Sequence, residues 1–138
     1  MMFVCLDIVG VENEKQGLLI RDVIERSLET LLPRRRNPIF IDLYIALNKD
    51  MDGSDALIHE EEDGFYFLAL NKNVLRKSKD YLITTLIHEM VHVRQFIRKQ
   101  IKDSSYNTLD EYLSLPHEIE AYNLQEELLD EIKEAVKR

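Results

Sequence analysis

Of 138 residues, only one is cysteine, three are proline, four are glycine and none is tryptophan. Cys5 stands alone, so it closes no internal disulfide and builds no cysteine-rich zinc module; a disulfide-stapled scaffold and a zinc ribbon are both excluded. Its expected role is packing in the first strand. So few prolines and glycines leave no room for collagen-like, linker or low-complexity tracts. No apolar run approaches the roughly 20 residues of a membrane-spanning helix. The apolar start of the chain has no basic stretch before it and is broken by Asp7, so no signal peptide is read and a cytosolic location is expected, host cytosol if the source is viral. Cations are also in short supply. Lysine and arginine total 18 against 26 acidic residues, a net charge of −8, which disfavours binding to a phosphate backbone. The basic cluster Arg34-Arg35-Arg36 reads as a solvated helix-to-strand loop.

What the chain does have is the balance of an ordinary globular protein, 45% hydrophobic and 32% charged, at a length that suits one domain over residues 1–138. Phe3 to Val9 is a short apolar run expected as a buried strand. Asn13 with Gln16 suggests a capping box opening a helix to about Leu32, with Ile20, Val23, Ile24, Leu28 and Leu31 on its core face. Ile39, Ile41, Leu43, Ile45 and Leu47 alternate with Phe40, Asp42, Tyr44 and Ala46, the strongest strand pattern present. Ala56 to Glu60 and Phe65 to Leu70 read as a hairpin turning at Asp63-Gly64. Strand, helix, strands, then helices implies an α+β fold, with a small mixed or antiparallel sheet packed on the helix that follows.

That helix carries the chemistry. Tyr81 to Ile101 lacks glycine and proline, Asp80 is its expected N-cap, and Leu82, Leu86, Met90, Val93, Ile97 and Ile101 form an apolar stripe. Within it lies His88-Glu89-Met90-Val91-His92. Residues four apart share a helix face, so both imidazoles can reach one metal ion, while Glu89 sits one step round, placed to hold a water instead of taking a ligand position. Two histidine ligands, a polarised water and a carboxylate base form the metalloprotease arrangement. A third ligand has to come from another element. Pro116 opens a second long helix with Ala121, Leu124, Leu128, Ile132 and Ala135 on its apolar face. Glu118 stands in its first turn beside the Ala121 and Tyr122 face, while Glu120 points about 200° away from Glu118. Glu120 and His117 remain alternatives to Glu118 as third ligand.

With HEMVH followed at short distance by Glu118-Ile119-Glu120-Ala121, residues 80 to 130 resemble the minimal gluzincins, compact zinc metallopeptidases of the HExxH-plus-Glu type. The tail His92-Val93-Arg94-Gln95 and the block Pro116 to Tyr122 look like small bacterial and phage members. The resemblance implies a zincin-like fold, one Zn2+ on His88, His92 and Glu118, and a polypeptide substrate cleaved with Glu89 as base. In related enzymes the ligand glutamate lies three residues before the small alanine, the position of Glu118. Thermolysin-like enzymes place an aspartate four residues after that glutamate; here it is Tyr122, which leaves the support of His88 unidentified. The SprT-like proteases share the HExxH core and act around DNA, but with basic or zinc-ribbon additions that this chain lacks.

A peptidase also needs a donor for the tetrahedral oxyanion. Tyr106, Tyr112, Tyr122 and His117 are the candidates, with Tyr122 also explicable as helix packing. In the zincins that this chain resembles, substrate adds as a strand to a sheet edge beside the metal, and Gly64 to Asn71, the last strand before the motif, is the expected edge or else a buried central strand. Asn48-x-Asp50-x-Asp52-Gly53 has the start of a calcium loop, but His59 stands where the bidentate glutamate belongs, so an Asx-rich turn is expected and His59 reads as a surface strand residue. A zinc-stabilised binding or regulatory domain that cleaves nothing is the rival reading; it needs His88, His92 and Glu118 but not Glu89.

Overall fold

Ile39, Ile41 and Leu43 point into the core and Asp42 and Tyr44 away from it, the period-two pattern of β2 (Ile39–Ala46). The computed structural model describes residues 3–99 and 115–136. In it β2 runs parallel to β1 (Val4–Val9) on one side and to β4 (Phe65–Asn71) on the other, and β3 (Ala56–Glu62) lies outermost, antiparallel to β4. The order β1-β2-β4-β3 puts β4 inside the sheet and makes β3 the edge. Of the two placements open for Gly64 to Asn71, the sheet takes the buried central one and not the edge, which its turn mate β3 holds. The turn itself forms at Asp63-Gly64 as expected, with Gly64 at φ 84°, where a side chain would be strained. With three helices among the described residues, α1 (Glu14–Leu31), α2 (Lys79–Ile97) and α3 (Pro116–Val136), the fold is α+β with a mixed sheet.

The core lies between one face of the sheet and the helices. Ile39, Ile41, Leu43, Tyr66, Leu68 and Leu70 from the strands meet Ile20, Ile24 and Leu28 of α1 and Ile83, Leu86, Ile87 and Met90 of α2. No described helix covers the opposite face of the sheet. That explains a correction: β1 is an edge strand buried on one side only, with Leu6 inward and Cys5 exposed outward, so Cys5 is not a core residue. On that face Phe40 stacks on Phe65 with ring centres 4.5 Å apart, and Asp7 faces Asp42 across the β1–β2 pair. Val9, Tyr44, Phe67 and Leu57 are exposed on it, and Leu47, just past the end of β2, is exposed as well.

Helix ends differ in detail from their sequence signals. Asn13 caps α1 by accepting from the Gln16 amide at 3.2 Å, but the Gln16 side chain does not close a box; it donates to the Leu75 carbonyl at 3.0 Å. Ser78, not Asp80, caps α2, its hydroxyl accepting from the Tyr81 amide at 3.1 Å. Asp80 lies in the first turn and pairs with Lys133 of α3 at 3.0 Å. The helix ends at Ile97, with Lys99 at φ 59°, earlier than the apolar stripe implied. Residues 48–50 form a 3-10 turn whose Asn48 side chain accepts from Asn71 at 2.8 Å. No helix among the described residues is long and apolar enough to cross a membrane.

Candidate metal centre

From Leu82 to Val93, α2 is buried on nearly every side, and the histidines sit where it faces α3. Both imidazoles turn the same nitrogen inward: His88 Nε2 lies 3.2 Å from His92 Nε2. Glu118, 1% exposed, enters from the first turn of α3, with one carboxylate oxygen 2.6 Å from His92 Nε2 and the other 3.5 Å from His88 Nε2. His88, His92 and Glu118 form the one cluster among the described residues whose donor atoms converge closely enough to hold a metal ion, all within 4.8 Å of one another. Of the alternative third ligands, Glu120 turns to Gln95 and Arg94, and His117 stays outside the cluster with its ring 5.9 Å from that of His92.

The outward nitrogens decide the chemistry. His92 Nδ1 lies 2.7 Å from Gln95 Oε1, and the Gln95 amide nitrogen donates to the His117 carbonyl and to Glu120, both at 2.9 Å. Two pure acceptors on that nitrogen fix which end of the amide is oxygen. An oxygen cannot donate, so the His92 proton sits on Nδ1 and the Nε2 lone pair points inward. His88 repeats the arrangement, with Nδ1 2.7 Å from Gln125 Oε1. Two imidazole lone pairs and a carboxylate thus converge in a buried space, three acceptors that repel one another unless a cation lies between them. Burial alone would depress the His92 imidazolium, yet Glu118, Glu89 and Gln95 outweigh it and move its pKa upward. The donor set, neutral imidazole nitrogens and one carboxylate with an oriented shell behind them, fits a divalent transition metal.

Glu89 is buried beside the pair but outside the converging set. Burial raises its pKa, the two histidines pull it back down, and Glu118 and Asp55 raise it further. Tyr122 packs its ring against His88, centroids 4.7 Å apart, and remains 43% exposed. Its pKa is raised by burial and by Glu118, Asp55, Glu89 and Tyr81. The His117 pKa is lowered, chiefly by burial. Tyr106 and Tyr112 lie outside the described residues. His59 is exposed on β3, 3.6 Å from Glu61. Gln125 is the site residue that sequence reasoning missed. It stands seven residues after Glu118, two turns along the same helix face, so extending the ligand's own stripe along α3 would have found it.

No protein-family model matches the chain, and no curated protein or solved structure matches it either.

Proposed function

We propose that this protein is a zinc-dependent metallopeptidase of gluzincin type, built on a zincin-like fold. The observation that carries the reading is the convergence of His88 Nε2, His92 Nε2 and the Glu118 carboxylate, with each imidazole held by a glutamine oxygen and a fourth buried group, Glu89, left over. A structural site has no need of that spare carboxylate; a hydrolytic one does. Zinc on His88, His92 and Glu118 would supply Lewis acidity toward a water and the scissile carbonyl. Glu89 takes the proton of the attacking water, in a buried setting that favours its neutral form, and passes it to the leaving amine. Tyr122, with its ring against His88, is the oxyanion donor this reading assigns among the described candidates. The edge strand β3 packs beside α2, and among the described residues no strand pairs with its outer side, which leaves that side to an extended polypeptide.

The test is Glu89→Gln. Bound zinc should match the wild type, while cleavage of unstructured polypeptides should fall by about 100-fold or more. Zinc retained by both proteins, with no cleavage by the wild type across varied substrates, would replace this reading with a non-proteolytic zinc-stabilised domain.

A further inference from the structure

The Lys77 ammonium lies 4.1 Å from the centre of the Tyr81 ring and 3.9 Å from one carboxylate oxygen of Asp55, and the Tyr81 hydroxyl donates to the other oxygen. A carboxylate beside an aromatic face is a cation-binding arrangement, and here it already holds a cation from its own chain. Its position matters. Tyr81 stands seven residues before His88, two turns along the same face of α2. Asp55 immediately precedes the edge strand β3 and is held rigidly: its carbonyl accepts from the Asn71 amide at 2.8 Å, and the buried Asn71 side chain holds the adjacent Ser54 carbonyl at 2.9 Å. The group therefore lies on the His88 face of α2, two turns from the metal cluster, and at the end of the strand along which a polypeptide would run.

We propose that Asp55 and Tyr81 form a cation-binding subsite beside the metal centre, selecting polypeptides that place an ammonium or guanidinium group there, and that Lys77 occupies it until substrate arrives. The inference rests on the peptidase reading above and names its substrate class. Lys77 and Asp55 are 45% and 42% exposed in their side chains, and an ion pair this open is weak, so an incoming cation displaces Lys77 readily. A net charge of −8 favours the same substrates at longer range.

The experiment separates this inference from the activity it rests on. Zinc-loaded Glu89→Gln protein is titrated, by fluorescence anisotropy, with unstructured ten-residue peptides in which lysine, glutamine or glutamate is moved along the sequence, each with a free and an acetylated N-terminus. At one position lysine should bind about tenfold more tightly than glutamate. Adding Asp55→Asn should bring that ratio close to one, and adding Lys77→Ala should tighten the lysine peptide about threefold. A preference that follows the free N-terminus instead of a side chain assigns the subsite to the terminal amine, the same chemistry from another source. No lysine or amine preference, a preference that survives Asp55→Asn, or weaker binding in Lys77→Ala overturns the proposal. Wild-type protein that cleaves these peptides without charge preference refutes the subsite alone; wild type that cleaves none refutes the peptidase reading, while the titrations still decide the subsite.

Discussion

Replacing Gln95 with leucine removes a buried side chain that ties a ligand of α2 to the first turn of α3. Gln95 is 1% exposed and makes three hydrogen bonds, at 2.7 Å to His92 Nδ1 and at 2.9 Å each to the His117 carbonyl and Glu120. Leucine fills the space but leaves the His92 N–H and the His117 carbonyl without partners, at about 1–3 kcal/mol each. Glu120 is partly exposed and rehydrates. The expected loss of stability is about 2–4 kcal/mol, which for a chain of this size lowers Tm by about 8–15 °C. Metal affinity should fall about 10- to 100-fold, because the imidazole is no longer held in the tautomer that presents Nε2. Two measurements check this: thermal unfolding in excess chelator, and competition for zinc against a chromophoric chelator. Gln125→Leu is the internal comparison. Gln125 is only half-buried and supports His88 alone, so that variant should lose about tenfold in zinc affinity and less than about 1 kcal/mol of chelated stability. A Gln95→Leu protein that binds zinc like the wild type would refute the tautomer argument, and one that melts like the wild type in chelator would refute the clamp between helices.

Two further predictions concern the scaffold. Asn71→Ala removes a 2% exposed side chain that donates to Asn48 and the Ser54 carbonyl and accepts from the Asn73 amide; it should cost about 2–4 kcal/mol in urea unfolding, and a loss below about 1 kcal/mol would show that the loop before β3 is held by other means. Tyr66 is buried and donates to Glu60 at 3.2 Å, and burial followed by the Glu60 charge raises its pKa well above the ordinary value of 10.0. An acid whose pKa is raised by folding holds its proton longer folded than unfolded, so its contribution is intact below about pH 10 and is lost above it, by up to about 1.4 kcal/mol per pH unit. Stability should therefore fall more steeply above pH 10 in the wild type than in Tyr66→Phe, and parallel curves would contradict the assignment.

The motif helix, the alternation of β2 and the Glu118 stripe were all legible because each depends on local periodicity. Period two and period 3.6 place a side chain on a face without reference to the rest of the chain. Strand order does not work that way. Phe65 to Asn71 has the same apolar pattern whether it lies inside the sheet or at its edge, and what decided it was β3 passing outside before β4 returned beside β2. Cys5 went astray for a related reason, since an apolar run in β1 carries no sign that the described helices cover the sheet on one side only. The caps were near misses. Ser78 and Asp80 both have capping side chains two residues apart, and the choice fell to Asp80 having a cross-helix partner in Lys133. The support of His88 is not legible at Tyr122, the position at which an aspartate stands in thermolysin-like enzymes, because a longer glutamine one turn further along, Gln125, reaches His88 Nδ1 instead.

The face of the sheet that no described helix covers has a consequence for how the molecule behaves among its own copies. A flat aromatic surface carrying Phe40, Phe65, Phe67 and Tyr44 is the kind that adheres to itself. Across it runs a seam of like charge, Asp7 opposite Asp42, a placement that costs the sheet some pairing energy. Two molecules brought face to face would press seam against seam and bury carboxylates with no cation to meet them. In colloidal terms the pair is a spacer: a small internal repulsion, carried by every molecule, that opposes stacking of one sheet face on another.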